Sequence, residues 1–311
     1  RYFLNLNSYG LLYIFFSKIT VFRMWYCLKI AKFRDLPWKI RYMTKTFNYA
    51  FKAFVLAIII AMFLIFSAFW YFSHDLPDYK KLSNYEPSVL SRVYSENGQL
   101  IGEYALEKRM FIPFDSIPEK VINSFLSAED KNFFEHPGVD ARGVTRAVIK
   151  NIRNILSDKR LEGASTITQQ VAKNFLLTNE VSLKRKIKEA ILAFRIEKAY
   201  SKKRILELYL NEIYLGKGTY GVASASLEYF NKSVKELNYE EAALLAALPK
   251  APSKYNPYKS IDLATKRRNM VLNNLKENGY ISKKDFKNFS KKKIILTKRE
   301  IFLIKEAQSY T

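Results

Sequence analysis

Hydrophobic and polar positions divide the chain into an apolar N-terminal part and a long amphipathic remainder. Residues 53–72 form a run of 20 residues without a charge, which at 1.5 Å per residue is long enough to cross a bilayer core of about 30 Å. The run is longer than the apolar core of a secretory signal peptide and lacks a small-x-small cleavage site. We therefore predict one transmembrane helix, with a cleaved signal peptide as the competing interpretation.

Beyond the apolar run, hydrophobic residues recur at the three-to-four-residue spacing of amphipathic helices. A helix is predicted to begin at Pro118 and to reach Phe133, before Pro137 and Gly138 end it. Residues 91–101 instead predict a small β-hairpin with Asn97 and Gly98 at its turn. The further predicted helices cover residues 140–156, 166–177, 183–200, 202–215, 220–230, 239–248 and 260–278. The pattern predicts a mainly α fold with a small β-hairpin near 91–105.

The same pattern predicts how the chain is organised. Five parts are expected: a basic extension at 1–52, the transmembrane helix at 53–72, a polar linker at 73–90, one domain at 91–280 and a C-terminal segment at 281–311. The chain opens with Arg1, and Met43 stands just before the apolar run with a short basic lead-in. Residues 1–42 are therefore a candidate misassigned extension, to which we assign no function.

Charge adds a location and a class of partner. The formal net charge is +23, which suggests nucleic acid, an anionic membrane or a phospholipid-like substrate as partner. Residues 23–52 contain eight basic residues and a single acidic one, Asp35. The positive-inside rule therefore places the N-terminus in the cytoplasm and most of the chain outside. That location favours the membrane or lipid partner, and we expect no nucleic acid. Cys27, the only cysteine, lies on the cytoplasmic side, so the exported part is expected to have no disulfide.

Two glutamates are candidate catalytic residues. Helical spacing would place Phe125 and Phe133 beside Glu129, and apolar neighbours raise a carboxyl pKa toward the range of a proton acceptor. Glu189 instead follows Arg185 and Lys186 at four and three residues, so it is predicted to stay ionised. Either glutamate alone is more often an ordinary helical residue.

The segment between the glutamates favours an anion site. Thr166 and Gln169 have the spacing of a capping box, which predicts a helix start with free amide groups. Lys173 follows one turn later on the same face, and such a helix N-terminus can bind phosphate. The alternative is a capped amphipathic helix with a surface lysine. With only two histidines in the chain, a His-rich metal site is not expected.

Four ordered motifs resemble a known family. They are Glu129–Gly138 (EDKNFFEHPG), Gly163–Gln170 (GASTITQQ), Arg185–Glu189 (RKIKE) and Ile205–Asn211 (ILELYLN). Together they resemble the peptidoglycan glycosyltransferase family 51 domain, found in class A penicillin-binding proteins and monofunctional transglycosylases, over about residues 90–280. The resemblance implies a mainly α, lysozyme-like fold with a membrane-dipping part within 139–162.

The resemblance also implies an activity and a substrate. A single-pass enzyme of the cytoplasmic (inner) membrane, with its catalytic domain outside, would polymerise lipid II into β-1,4 glycan strands with inversion and release polyprenyl pyrophosphate. Glu129 would act as the general base, and Glu189 as a second catalytic residue that organises cations near the pyrophosphate. Implied substrate-binding residues are Asp130, Ser165, Gln169, Gln170, Lys173, Asn174, Arg185, Lys186 and Arg267. Lipid II, the growing glycan strand, the membrane and the cell-wall synthesis machinery are the implied partners. No cofactor is required, although Mg or Mn at the pyrophosphate is compatible with the family.

Several alternatives stay open at this point. Asp130 could support Glu129 or the fold, and His136 is interpreted as a hydrogen-bonded residue that fixes the helix end. Residues 281–311 resemble a connector toward an absent transpeptidase domain, but a monofunctional enzyme is the other interpretation. A membrane-anchored lytic enzyme of lysozyme-like fold is the alternative function, although Lys173, Arg185 and Lys186 have no obvious use in cleaving an uncharged bond. A non-enzymatic basic scaffold is a third.

Overall fold

A computed structural model describes residues 38–83, 91–94, 96–97, 100–104, 108–157, 163, 165–178, 180 and 182–297. The chain divides into two compact units, residues 1–68 and residues 69–311.

An apolar helix, α1, spans Trp38–Ser73. Its part from Thr46 to Ser73 has a mean hydropathy of 2.7, and it is the one helix among the described residues that is long and apolar enough to cross a membrane. None of its most apolar stretch is buried, whereas an all-round apolar helix in a soluble protein would lie in the core. The predicted span at 53–72 lies inside this helix.

Residues 73–83, the described part of the predicted linker, contact other residues of the second unit. A short 3₁₀ helix covers Tyr79–Leu82, and the Leu82 side chain is buried in the core. Asp75 forms an ion pair with Lys188, with 2.7 Å between Oδ2 and Nζ. The linker expected at 73–90 stays a prediction, and its residues 84–90 lie outside the described part of the chain.

Strands contribute little to the fold. β1 (Ser91–Tyr94) and β2 (Leu100–Tyr104) pair antiparallel, which confirms the predicted hairpin. β3 (Lys108–Arg109) pairs in parallel with β4 (Thr219–Tyr220).

Helices build the rest of the second unit, and the predicted mainly α fold is confirmed. The described helices are α2 (Glu119–Glu129), α3 (Ala141–Leu156), α4 (Ile167–Leu176), α5 (Leu183–Ala199), α6 (Lys202–Glu212), α7 (Val222–Phe230), α8 (Tyr239–Ala247), α9 (Ile261–Glu277) and α10 (Lys283–Lys291). The core forms where α8 packs against α2 and α9, and where α4 packs against α5 and α6.

Helix α2 is shorter than predicted. It ends at Glu129, and Asp130 leaves the helical conformation with φ −157° and ψ 77°. Phe133 therefore does not lie one turn beyond Glu129; its ring is buried beside Lys202, whose Nζ is 4.4 Å from the ring centroid. The prediction that this helix reaches Phe133 is wrong because Asp130 is bonded to residues outside the helix.

The C-terminal segment also packs on the core up to residue 297. Phe286 and Phe289 on α10 contact the core, while the nearby Lys283, Lys284 and Lys287 stay exposed. The buried Arg268 donates to the Lys292 carbonyl at 2.8 Å. Two phenylalanines three residues apart give α10 an apolar face. The connector expected at 281–311 stays a prediction.

Candidate active site

An open cleft lies where α2, α4, α5, α9 and the loop after α8 meet. Its volume is about 240 Å³, and its walls carry two carboxylates and several cations. The lining residues are Ala128, Glu129, Gly163, Ser165, Gln169, Gln170, Lys173, Lys186, Glu189, Pro249, Lys250 and Arg267. The cleft thus brings together eight predicted site residues from distant parts of the sequence.

A smaller cavity of about 100 Å³ adjoins the cleft and shares Glu129, Gly163 and Ser165 with it. Its other lining residues include Lys131, Asp140 and Arg146. Glu129 therefore stands at the junction of two spaces. Its side chain thus borders both the cleft and the smaller cavity.

The environment of Glu129 favours the protonated acid. The side chain is half-buried at the end of α2, and burial raises the pKa of its carboxyl. A hydrogen bond of 2.8 Å from Gln170 Nε2 to Oε2, together with the charges of Arg267 and Lys250, opposes this shift without cancelling it. The predicted upward direction of the Glu129 pKa shift is confirmed. A carboxylate with a raised pKa is suited to accept a proton near neutral pH.

The start of α4 is held in place by two sets of hydrogen bonds. The Thr166 hydroxyl accepts from the Gln169 amide at 3.2 Å, and the Gln169 side chain accepts from the Thr166 amide at 3.0 Å. The predicted capping box is therefore confirmed. The Thr166 hydroxyl also donates to the Gly138 carbonyl at 2.6 Å. These bonds fix the helix turn that carries Gln170 toward Glu129.

A buried Asp130–His136 pair joins this helix start to the end of α2. The Asp130 carboxylate accepts from the Ile167 amide and contacts His136 Nε2, each at 3.0 Å. The Gly138 amide donates to His136 Nδ1 at 3.2 Å, so Nδ1 must carry the lone pair and Nε2 the hydrogen. The interpretation of His136 as a hydrogen-bonded residue is confirmed. Asp130 supports the fold through these bonds, and its contact with substrate stays a prediction.

Glycine is required at position 138, where this loop passes α5. Gly138 has φ +102°, a conformation that side chains disfavour. A Cβ there would come within 2.9 Å of the Ala193 backbone. Close contact between the loop and α5 thus depends on a residue without a side chain.

Glu189 is held between two cations. Its side chain is only 1% exposed, and Arg185 Nε lies 3.2 Å from Oε1. Lys186 Nζ lies 2.5 Å from Oε2 and also donates to the Ser165 hydroxyl at 3.0 Å. The predicted contacts with Arg185 and Lys186 are confirmed. Each oxygen of this carboxylate thus lies within ion-pair distance of a cation.

Positive charge surrounds this carboxylate. Lys173 is half-buried, and burial lowers the pKa of its amine, while Glu189 opposes that change and Arg185 reinforces it. Lys186, Lys250 and Arg267 complete the cationic wall of the cleft. A lysine that is partly desolvated beside other cations is stabilised by an incoming anion.

The structure places some residues differently from the sequence prediction. Asn174 is exposed and does not line the cleft. Arg185 stands behind Glu189 rather than in the cleft wall. Lys250 does line the cleft but was not predicted, because it lies in a proline-containing loop without hydrophobic periodicity. The one feature of the sequence that could have indicated Lys250 is its position directly after the apolar end of α8.

Among the described residues, no group of three or more His, Cys, Asp or Glu side chains could hold a metal ion.

Comparisons with known proteins agree with these features. Residues 97–276 match the family described as Transglycosylase. Penicillin-binding protein 1A of Rickettsia felis is 50% identical over 257 residues, which cover 83% of this chain and 32% of that protein. Penicillin-binding protein 1A of Aquifex aeolicus is 47% identical over 247 residues, covering 78% and 33% respectively. The chain thus spans about a third of the length of these relatives.

One solved structure is also similar, the 2.6 Å crystal structure of penicillin-binding protein 1A from Haemophilus influenzae. It is 27% identical, and the match covers 70% of this chain and 22% of that one with a TM-score of 0.41, which is too low to carry a structural argument.

Proposed function

This chain belongs to the transglycosylase family, and we propose that it is a membrane-anchored peptidoglycan glycosyltransferase that polymerises lipid II into β-1,4 glycan strands. The observation that carries the proposal is the position of Glu129. Its carboxyl, whose pKa is raised by burial, stands between two adjoining spaces, and cations line the larger one.

The proposed reaction uses Glu129 as the general base. Its carboxylate takes the proton of the acceptor's 4-hydroxyl while that oxygen attacks the anomeric carbon of the donor. The bond from this carbon to the pyrophosphate oxygen breaks, so the configuration inverts and polyprenyl pyrophosphate leaves. Gln170 keeps the carboxylate oriented through its 2.8 Å hydrogen bond. A base that is neutralised by the transferred proton fits a site that disfavours a buried negative charge.

The cationic wall suits the leaving group. The pyrophosphate is already an anion in the donor and gains one further negative charge when its bond to the anomeric carbon breaks. Lys173, Lys186 and Arg267 line the space next to Glu129. Fixed cations that face developing negative charge lower the barrier because no reorganisation is needed. Glu189 keeps Arg185 and Lys186 in place. Because these cations already occupy its carboxylate, the donor set fits a divalent ion such as Mg or Mn poorly.

Two apolar surfaces support an enzyme at a membrane. Helix α1 has the length and composition of a span. Helix α3 exposes Val148, Ile152 and Ile155 along one face, while Arg146 and Arg153 lie on the other. An amphipathic helix of this kind lies in the interface of a bilayer. A lipid-linked substrate would then reach the cleft without leaving the membrane, with the bulk of the chain outside the cytoplasm.

A lytic enzyme that cleaves glycan strands is the second candidate. Such an enzyme would use a carboxyl group of raised pKa as its general acid, and Glu129 has this property. The cations Lys173, Lys186 and Arg267 weigh against it, because a glycosidic bond between uncharged sugars offers them no anion.

Product analysis separates these functions. The chain, purified in detergent, is incubated with labelled lipid II, and in parallel with preformed glycan strands. We expect polymer from lipid II, with none formed by Glu129→Gln and wild-type amounts formed by a control at the exposed Asp115, Asp115→Asn. Shortening of the preformed strands would support the lytic enzyme instead. Absence of both reactions in folded wild-type protein would refute an enzymatic role.

A further inference from the structure

A second cavity lies apart from the Glu129 cleft, between residues 70–75 and the first turns of α5. Its volume is about 430 Å³. It is lined by Trp70, Tyr71, Phe72, His74, Asp75, Lys184 and Lys188, all of which belong to the second unit. None of them lines the catalytic cleft, so the proposed reaction does not account for this cavity.

The α5 side of the cavity carries an excess of positive charge. Lys184 and Lys188 are one turn apart and therefore share a face of the helix. Lys188 is paired with Asp75, whose pKa both lysines lower. Lys184 is exposed, and within the described part of the chain it has no carboxylate at ion-pair distance. One carboxylate thus faces two lysines, so this side of the cavity keeps a net positive charge that a further anion could neutralise.

The opposite side is aromatic and lies at the end of the apolar helix. Trp70 is 65% and Tyr71 73% exposed, and the candidate membrane span ends at Ser73. Tryptophan and tyrosine prefer the headgroup level of a bilayer, where one part of the ring is apolar and the other wet. Leu183, next to Lys184, is 82% exposed. An apolar side chain beside a lysine is the composition expected of a surface that contacts lipid.

We propose that this cavity binds the headgroup of an anionic phospholipid, with Lys184 and Lys188 at its phosphate and the acyl chains beside Trp70 and Tyr71. The proposal rests on the membrane anchoring proposed for α1. A water molecule occupies about 30 Å³ in the liquid, so the cavity has room for a phosphate and its glycerol. A free phosphate would satisfy the lysines but would leave the aromatic rings exposed, and a zwitterionic headgroup would bring a cation toward Lys184.

Such a lipid would orient the catalytic unit. Lys188 lines the cavity, while the next residue along α5, Glu189, lines the catalytic cleft. A phospholipid held at Lys188 would therefore fix the helix that carries Glu189 relative to the membrane surface. The expected consequence is a cleft that faces the lipid-linked donor.

Binding can be measured on the full chain in neutral detergent. The probe is phosphatidylglycerol with brominated acyl chains, which quench the fluorescence of a nearby tryptophan; Trp25 and Trp38 are replaced by Phe in every variant so that Trp70 alone reports. Each lysine near an anionic lipid contributes about fivefold in affinity. We expect Lys184→Gln to weaken binding about fivefold and Lys184→Gln/Lys188→Gln about 25-fold.

The controls separate lipid binding from charge and from catalysis. Lys283→Gln/Lys287→Gln removes two exposed charges on α10 and is expected to leave the affinity unchanged. Glu129→Gln should bind the lipid as the wild type does, so a failure of the proposed activity does not affect this readout. Lys184 is exposed, so its variant is expected to fold even where the double variant does not.

Four results would overturn the proposal. These are an unchanged affinity of Lys184→Gln, equal quenching by brominated phosphatidylcholine, complete competition by millimolar inorganic phosphate, or tighter binding of polyprenyl pyrophosphate than of phosphatidylglycerol. The last result would make the cavity part of the substrate path.

Discussion

The Asp130→Asn substitution tests whether the buried pair behind Glu129 holds the site together. The side chains of Asp130 and His136 are 3% and 6% exposed. An asparagine oxygen could still accept from the Ile167 amide, but its NH₂ group would then face the hydrogen on His136 Nε2. If that hydrogen moved to His136 Nδ1, it would face the hydrogen of the Gly138 amide, and neither donor would have an acceptor. In each arrangement at least one buried donor lacks an acceptor.

The expected loss of stability follows from these bonds. A hydrogen bond to a charged group contributes about 1.5–3 kcal/mol, and a buried unpartnered donor costs about 1–3 kcal/mol. We expect Asp130→Asn to lower the free energy of unfolding by roughly 2–4 kcal/mol, because the two effects overlap and partial relaxation is normal. For a unit of this size, each kcal/mol lowers Tm by about 2–4 °C. The predicted decrease is therefore about 4–16 °C.

Thermal unfolding of the full chain in detergent, followed by circular dichroism at pH 7, measures this decrease. Asp115→Asn makes the same charge change at an exposed position and should alter stability by about 0.5 kcal/mol or less. If Asp130→Asn unfolds within about 2 °C of this control, the pair does not support the fold as described.

Three further predictions concern the cleft. Gln170→Leu removes the hydrogen bond that lowers the pKa of Glu129, so the acid limb of the pH–rate profile should move to higher pH. An acid limb at the wild-type pH would contradict this effect of Gln170 on Glu129. Because the folded-state pKa of Glu129 lies above its ordinary value of 4.5, the wild type loses stability as pH rises from about 4.5 through that pKa. Glu129→Gln should therefore unfold at a higher temperature than the wild type at pH 7.5, with no difference below pH 4, and a lower Tm at pH 7.5 would exclude the burial penalty. Lys173→Ala should reduce kcat/KM for the lipid-linked donor about 10–100-fold, as expected for a lost charge-assisted bond. The KM for a short glycan acceptor should change less than about twofold. Equal effects on donor and acceptor would place Lys173 away from the leaving group.

Local contacts of the site were predictable from the sequence. The capping box of Thr166 and Gln169 and the two cations beside Glu189 depend on residues three and four positions apart, where helical geometry alone decides. The same spacing predicted the helices and the apolar span. These features need no knowledge of tertiary structure.

Other features depend on tertiary contacts, which hydrophobic periodicity does not contain. Asp130 ends α2 by accepting from Ile167, 37 residues away, so the local pattern overestimated the length of the helix. Arg267 reaches the cleft only because α9 packs on α2 and α8. Lys250 lies in a loop, where no periodic signal exists. The resemblance to a family named Arg267, but Lys250 became visible only in the structure.

The pH dependence of kcat/KM for polymerisation tests the central claim, that Glu129 is the proton acceptor, most directly. It is measured on the full chain with labelled lipid II, over a pH range in which circular dichroism shows the protein folded. We expect a rate that rises with pH through one ionisation, whose pKa lies above the ordinary value of 4.5 because burial raises the pKa of Glu129. Glu129→Gln should show no such limb and no polymer. A rate that is independent of pH down to the ordinary glutamate range, or polymer formed by Glu129→Gln, would contradict it.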